Sequence, residues 1–83
     1  MKLTYDPRYN IAYIQLQEKQ SGVETIRMSD ELNVDIAPDG TVYGIELLNA
    51  NAQLLSEDRR KIVIVNEALG GRREINLDEP ELT

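Results

Sequence analysis

Cysteine and histidine, which carry much of protein chemistry, are both missing from this sequence of 83 residues. Without cysteine the chain has no disulfide, no thiolate nucleophile and no cysteine-bound zinc. Small secreted domains usually depend on disulfides, so their absence favours a reducing compartment. Histidine is the commonest metal ligand and the side chain that titrates nearest neutral pH. We therefore predict no catalytic residues, no metal and no cofactor, and we favour a protein that is not an enzyme.

Long apolar runs are missing as well. Residues 1–7 contain no apolar run long enough for a signal peptide. No stretch of about 18 apolar residues occurs that could span a membrane. We therefore expect a cytoplasmic protein without a membrane partner.

Basic residues are scarce relative to acidic ones. Nine Lys and Arg stand against 15 Asp and Glu, which gives a net charge of −6. An acidic domain repels phosphate backbones, so a nucleic-acid partner is disfavoured. Residues 78–83 carry three acidic residues and no basic ones, and we interpret them as a frayed, solvated acidic tail.

Alternation of apolar and polar residues predicts a series of short strands. The strands are expected at residues 2–5, 11–16, 23–28, 32–36, 41–48, 61–65 and 72–77. The turn residues Pro38, Asp39 and Gly40 predict a tight hairpin with Gly40 in the left-handed region. Residues 49–55 fit either one helical turn or a loop. The fold class is thus all-β or β-rich α+β, an antiparallel β-meander of six or seven short strands with one short helix near residues 50–58.

The chain is short enough for one domain, residues 1–83. Within it we distinguish a β-meander at 1–55, a C-terminal hairpin at 56–77 and the acidic tail. Three strands, at residues 11–16, 41–48 and 62–65, are apolar on both faces. Either the sheet curls into a half-barrel or a second layer covers its back, and that layer could be a symmetry mate. We expect a homo-oligomer, most simply a twofold dimer.

Two motifs resemble a known family. They are Tyr5-Asp6-Pro7 with Asn10 and Ala12-Tyr13-Ile14, and Leu32-Asn33-Val34-Asp35 with Asp39-Gly40 and the run from Gly44 to Ala50. Over roughly residues 1–55 the chain resembles the YuzE-like family of small bacterial domains of unknown function. The resemblance implies a short β-meander without assigned catalytic residues. It also implies a small protein partner encoded nearby, because such domains are found beside proteins like the RelE-type toxins, and thus an antitoxin-like role.

Three residues are candidates for binding a ligand. Asp6 and Asn10 flank Pro7, where they could form a polar cluster at a loop tip, although a turn uses the same residue types. Glu46 lies inside a strand between two apolar residues, so covering its face would raise its pKa or require a partner. Arg27 is one candidate partner for Glu46, in a cross-strand charge pair.

Other charged and aromatic residues favour structural roles. The acidic residues Asp30, Glu31, Asp35, Asp39 and Glu46 are too dispersed to share a cation, and Asn33 and Asp35 are expected to face water. The tyrosines Tyr5, Tyr9, Tyr13 and Tyr43 suit cross-strand packing. The basic residues Arg59, Arg60, Lys61, Arg72 and Arg73 form either a patch for RNA or an acidic partner, or charges that protect a strand edge.

The function that fits best is a non-enzymatic protein-interaction module, with an antitoxin-like role towards a small RelE-type toxin. The alternative is a small-ligand-binding domain or a weak enzyme that uses carboxylates and tyrosine.

Overall fold

Seven antiparallel strands make up most of the residues that the structure, a computed structural model, describes: 1–18, 21–54 and 61–77. They are β1 (Lys2–Asp6), β2 (Ile11–Gln15), β3 (Glu24–Ser29), β4 (Leu32–Ile36), β5 (Val42–Leu48), β6 (Lys61–Asn66) and β7 (Gly71–Asn76). One helix, α1 (Ala50–Leu54), follows β5. The β-rich fold class is confirmed. The expected helix is present at residues 50–54, and its predicted continuation to 58 lies outside the described residues.

The chain divides into two compact units, Met1–Gln53 and Leu54–Thr83. The first unit holds a five-stranded sheet with the order β1-β2-β5-β4-β3. β5 is therefore central, although it comes last of the five along the chain. β3 follows β2 in sequence but forms the edge of the sheet opposite to β1. The central position of β5 brings side chains from four strands within reach of one another.

Two turns in the first unit form as their residue types predict. In the turn between β1 and β2, Asn10 takes a φ of 59°, and Asp6 Oδ1 accepts a hydrogen bond from the Arg8 amide at 3.0 Å. In the turn between β4 and β5, Gly40 has a φ of 92°. Its amide donates to the Ala37 carbonyl at 2.9 Å. The left-handed position predicted for Gly40 is confirmed.

Asn10 also fixes the start of α1. Its carbonyl oxygen accepts the Ala50 amide at 3.1 Å, and its side-chain Oδ1 accepts the Asn51 amide at 2.7 Å. The amides at a helix start have no partner within the helix, so these bonds satisfy them from a distant turn. The Tyr5 hydroxyl donates to Asn51 Oδ1 at 2.6 Å. The helix is thus anchored to the first hairpin.

Register assigns each residue of the sheet to one of two faces, because successive side chains alternate. One face is apolar and includes Leu3, Ile14, Tyr43, Ile45 and Val34. The core is small: among the described apolar residues only Ala12, Tyr43 and Ala50 are buried. The opposite face carries polar groups, and the buried acid Asp35 is one of them.

The second unit holds the two-stranded sheet of β6 and β7. Ile62 is opposite Ile75, and Val65 is opposite Arg72. The Asn66 side chain shapes the connecting turn, because its Oδ1 accepts the Ala68 and Leu69 amides, each at 3.1 Å.

The cover expected for the two apolar faces of residues 62–65 is incomplete among the described residues, and cover by a symmetry mate stays a prediction. β6 pairs with β7 alone among them, and Ile64 and Val65 stay at least half exposed. A run of β-branched residues favours a strand whatever its surroundings, so the pattern did not reveal how much cover the strand would have.

The acidic tail at 78–83 lies outside the described residues. Within the described residues, no helix is long and apolar enough to cross a membrane.

Candidate functional site

Four strands each contribute one oxygen-bearing side chain to a cavity on the polar face of the five-stranded sheet. The cavity measures about 260 Å³ and is lined by Tyr13, Thr25, Asp35 and Glu46. We call it the polar cavity. A wider depression of about 430 Å³ lies at the chain start, but its lining includes the exposed Met1. The polar cavity is the place where buried and titratable groups converge.

Asp35 is the acid at the base of this cavity and is only 5% exposed. The Tyr13 hydroxyl donates to Asp35 Oδ2 at 2.6 Å, and the Thr25 hydroxyl donates to Asp35 Oδ1 at 2.6 Å. Each carboxylate oxygen therefore has a donor, which offsets the cost of removing it from water. The expectation that Asp35 faces water is wrong, because the Tyr13 side chain crosses the sheet and covers it.

Gly44 makes this crossing possible. It lies on β5, opposite Gln15 on β2 and Asp35 on β4. A Cβ atom at Gly44 would lie 1.9 Å from the Tyr13 hydroxyl oxygen and 2.3 Å from its Cζ. Any larger residue would therefore overlap the phenol. The glycine is needed for the close approach of this ring to the strand backbone.

The environment of Tyr13 raises the pKa of its phenol to about 12. Burial is the largest cause, because it disfavours the charged phenolate. The hydrogen bond to Asp35 and the negative charges of Asp35 and Glu46 act in the same direction. At neutral pH the phenol is protonated, and it serves as a hydrogen-bond donor.

Glu46 lies on the rim of the cavity with an amide beside it. The Asn33 Nδ2 group donates to Glu46 Oε1 at 2.9 Å. Within the described residues, Glu46 Oε2 has no hydrogen-bond partner, and the buried Asn33 Oδ1 has none either. The expected pairing of Glu46 with Arg27 is wrong. Arg27 turns along its own edge strand and pairs with Asp30, three residues away.

Asp6 and Asn10, the other two predicted ligand candidates, lie away from the polar cavity. Asp6 pairs with Arg8 through Oδ2 at 2.9 Å. The hydrogen bond from the Arg8 side chain lowers the pKa of the Asp6 carboxyl. Asn10 holds the start of α1, as described above. The structure thus gives both residues hydrogen bonds within the fold, and a ligand role for them stays a prediction.

The remaining charged residues do not converge. Among the described residues, no group of three or more acids is placed to hold a metal ion. Asp39 lies in its turn, where the hydrogen bond from the Thr41 amide lowers the pKa of its carboxyl. In the hairpin, Lys61 and Arg72 both pair with Glu74, at 3.7 and 2.9 Å. Arg59 and Arg60 lie outside the described residues.

One feature of the sequence indicates the polar cavity. A glycine inside a strand marks a bulge or a close approach of another group, and Gly44 has this position between Tyr43 and Ile45. Which group approaches depends on β2 pairing with β5, and these strands are distant in the chain. Cross-strand packing was the role expected for Tyr13, so its bond to Asp35 was missed.

A second feature is an apolar surface on the hairpin of β6 and β7. Four side chains remain largely exposed: Ile64 at 50%, Val65 at 57%, Leu69 at 82% and Ile75 at 43%. We call these four residues the hairpin surface. Ile64 and Ile75 belong to one face of the two-stranded sheet and Val65 to the other. Water therefore reaches apolar side chains on both faces of this hairpin.

Comparison with known proteins finds one related family. A family model described as "Protein of unknown function (DUF2283)" matches residues 2–51. No curated protein and no solved structure matches the chain. The matched segment contains β1 to β5 and all four residues of the polar cavity, whereas the hairpin follows it. The match confirms the expected small domain of unknown function. It does not support the YuzE-like name.

Proposed function

The chain belongs to the DUF2283 family of proteins of unknown function, and from that premise we propose that it is a cytoplasmic, non-enzymatic protein-interaction module. The hairpin surface is the observation that carries the proposal. An isolated two-stranded hairpin is at best marginally stable in water, and it gains stability when a further layer or strand covers it. Ile64 and Ile75 are exposed on the same face of this hairpin, and apolar side chains grouped in this way suit a binding surface.

Charge indicates which partners suit the module. The chain has a net charge of −6, which favours encounter with basic proteins and disfavours acidic ones. A small toxin of the RelE type, encoded nearby, is the partner class that the YuzE-like resemblance implies. We include this antitoxin-like role in the proposal, with the hairpin surface as the apolar centre of the interface.

The test is a calorimetric titration of the full chain with the purified small protein encoded beside it. We expect saturable binding that Ile64→Lys weakens by at least about tenfold, since a charge would then be buried at the interface centre. The matched control is Ile26→Lys, at an apolar strand residue that is 43% exposed on β3. Binding that neither substitution changes would remove the hairpin surface from the proposal.

A second candidate function rests on the polar cavity. Glu46 Oε2 has no hydrogen-bond partner within the described part of the chain, and it lines the same cavity as the buried carboxylate of Asp35. Oxygen acceptors with two negative charges suit a small cation that donates hydrogen bonds, such as a guanidinium or a primary ammonium. The raised pKa of Tyr13 favours binding over catalysis, because a phenol with a pKa of about 12 is a poor base at neutral pH.

This second candidate is tested by nuclear magnetic resonance titration with methylguanidinium. We expect saturable shifts at Tyr13 and Thr25 that Glu46→Gln abolishes. Glu31→Gln is the control, because Glu31 carries the same charge outside the cavity. Shifts of equal size in both variants, or none at all, would contradict a cation site.

A further inference from the structure

Charged residues protect the free edges of the two sheets to different degrees. A strand edge presents unpaired backbone groups, and natural proteins protect such edges with charged residues, bulges or proline. β7 carries three charged residues, Arg72, Arg73 and Glu74. β3 carries Glu24 and Arg27 and has a register shift after Arg27. These edges discourage pairing with another strand.

β6 carries the fewest charged residues of the edge strands in the described chain, one against two in β1, two in β3 and three in β7. Its only charged residue is Lys61 at its first position, and four β-branched apolar residues follow. β6 pairs with β7 on one side, and among the described residues no strand pairs with its other side. The outer edge of β6 is therefore a template for one further antiparallel strand.

We propose that this strand is β6 of a second copy of the chain, so that two hairpins form one four-stranded sheet with the order β7-β6-β6-β7. The proposal rests on the proposed interaction function and adds a second copy of the chain to its partners. Antiparallel pairing about a twofold axis is closed and leaves no further copy of the β6 edge unpaired. The outer strands of the new sheet are then the two charged β7 strands, which resist further growth.

The sequence of β6 is complementary to itself in one twofold register. An axis through Ile64 places Ile64 opposite its own counterpart and Val63 opposite Val65. The same register places Lys61 opposite Glu67, the first residue of the turn, so two pairs of opposite charge close the ends of the contact. An axis through Val63 would instead place Lys61 opposite Val65 and form no charge pair. Cross-strand apolar and charged pairs of this kind stabilise a sheet.

Cysteine cross-linking tests the pairing cleanly, because the chain has no cysteine of its own. In Ile64→Cys, the two thiols lie on directly opposite residues, close to the separation that a disulfide needs. We expect most of the protein to form a disulfide-linked dimer under mild oxidation. Ile75→Cys on β7 is the control, since Ile75 is exposed to a similar degree but is distant from the proposed contact. Equal cross-linking of the two variants would overturn the proposal.

The register has its own test, in which Val63→Cys and Val65→Cys are mixed before oxidation. An axis through Ile64 predicts mainly mixed dimers, whereas dimers of Val63→Cys with itself would contradict that register.

Light scattering of the unmodified chain then tests the homodimer separately from the β6 pairing. A dimeric mass without cross-linking at position 64 overturns the β6 pairing but leaves the interaction module standing. A monomeric mass at all concentrations overturns the homodimer, and the titration with the neighbouring protein then decides the proposed function alone.

Discussion

The five-stranded unit and the hairpin unit contain similar apolar residues but bury them to different degrees. In the first unit, β5 is paired on both sides, one face packs small and aromatic side chains together, and the buried acid on the other face is hydrogen-bonded. In the hairpin, each strand has one partner among the described residues, and Ile64 and Val65 are exposed on opposite faces. Strand-forming sequence alone therefore does not determine burial, because burial depends on how many neighbours the topology supplies.

The two units also differ in whether the family model matches them. The match to DUF2283 ends at residue 51, so it includes the polar cavity and excludes the hairpin. The first unit therefore holds what the family model describes. The hairpin surface follows the matched segment in the chain, and the proposed interaction function involves this surface.

The largest expected effect comes from filling the space that Tyr13 crosses. Gly44→Ala places a Cβ atom on the phenol, so the ring must move and its bond to Asp35 breaks. We expect the free energy of unfolding to fall by about 3 kcal/mol, measured by urea denaturation. Gly71→Ala, in the hairpin, has nothing within 4 Å of its new Cβ and should cost less than about 0.5 kcal/mol.

A double variant shows whether Tyr13 is the cause. In Gly44→Ala combined with Tyr13→Ala the overlapping ring is absent, so the glycine substitution should cost much less than it does in the wild-type background. Additive losses in the two variants would show that Gly44 is needed for some other reason.

The next effect concerns backbone strain at two turns of the first unit. Gly40 and Gly22 have φ angles of 92° and 87°, a region that L-residues adopt at a cost. Gly40→Ala and Gly22→Ala should each lower the stability by about 1 kcal/mol in thermal or urea unfolding. A loss confined to Gly40→Ala would show that the turn at Gly22 tolerates a side chain despite its positive φ.

A smaller effect, on how stability depends on pH, comes from the Tyr13 phenol. Its pKa is raised from 10.0 to about 12, so the folded state holds this proton where the unfolded state has lost it. The stabilisation is complete below pH 10 and is lost as pH rises towards 12. Urea denaturation across this range should show the decline in the wild type and a weaker decline in Tyr13→Phe. Identical profiles would mean that the phenol is not held in its protonated form.

The smallest effect is expected on the hairpin surface. Val65→Thr should change the stability of dilute protein by less than about 0.5 kcal/mol, because Val65 is exposed. Val34→Thr on β4 of the five-stranded sheet should cost about 1 kcal/mol, since the added hydroxyl loses hydration there. Equal losses in calorimetric unfolding would show that the two units are equally packed.

Sequence patterns predicted the strands well, because alternation and turn residues act over a few neighbouring residues. β4 and the turn at Gly40 lie where the pattern placed them. The polar cavity was harder to predict, since it depends on β5 inserting between β2 and β4. Only this order puts Tyr13, Gly44 and Asp35 side by side. Glu46 was identified as a candidate by its place between two apolar residues, but its partner was misassigned because the strand order was unknown.

The central claim is that the hairpin, through β6, is the surface by which this protein associates. Hydrogen exchange of the full chain, followed by mass spectrometry at high and low concentration, tests it most directly. We predict that dilution speeds exchange in β6 (Lys61–Asn66), because edge amides lose their partner, and leaves β5 (Val42–Leu48) unchanged. Exchange in β6 that is independent of concentration, or a change confined to β5, would contradict the account.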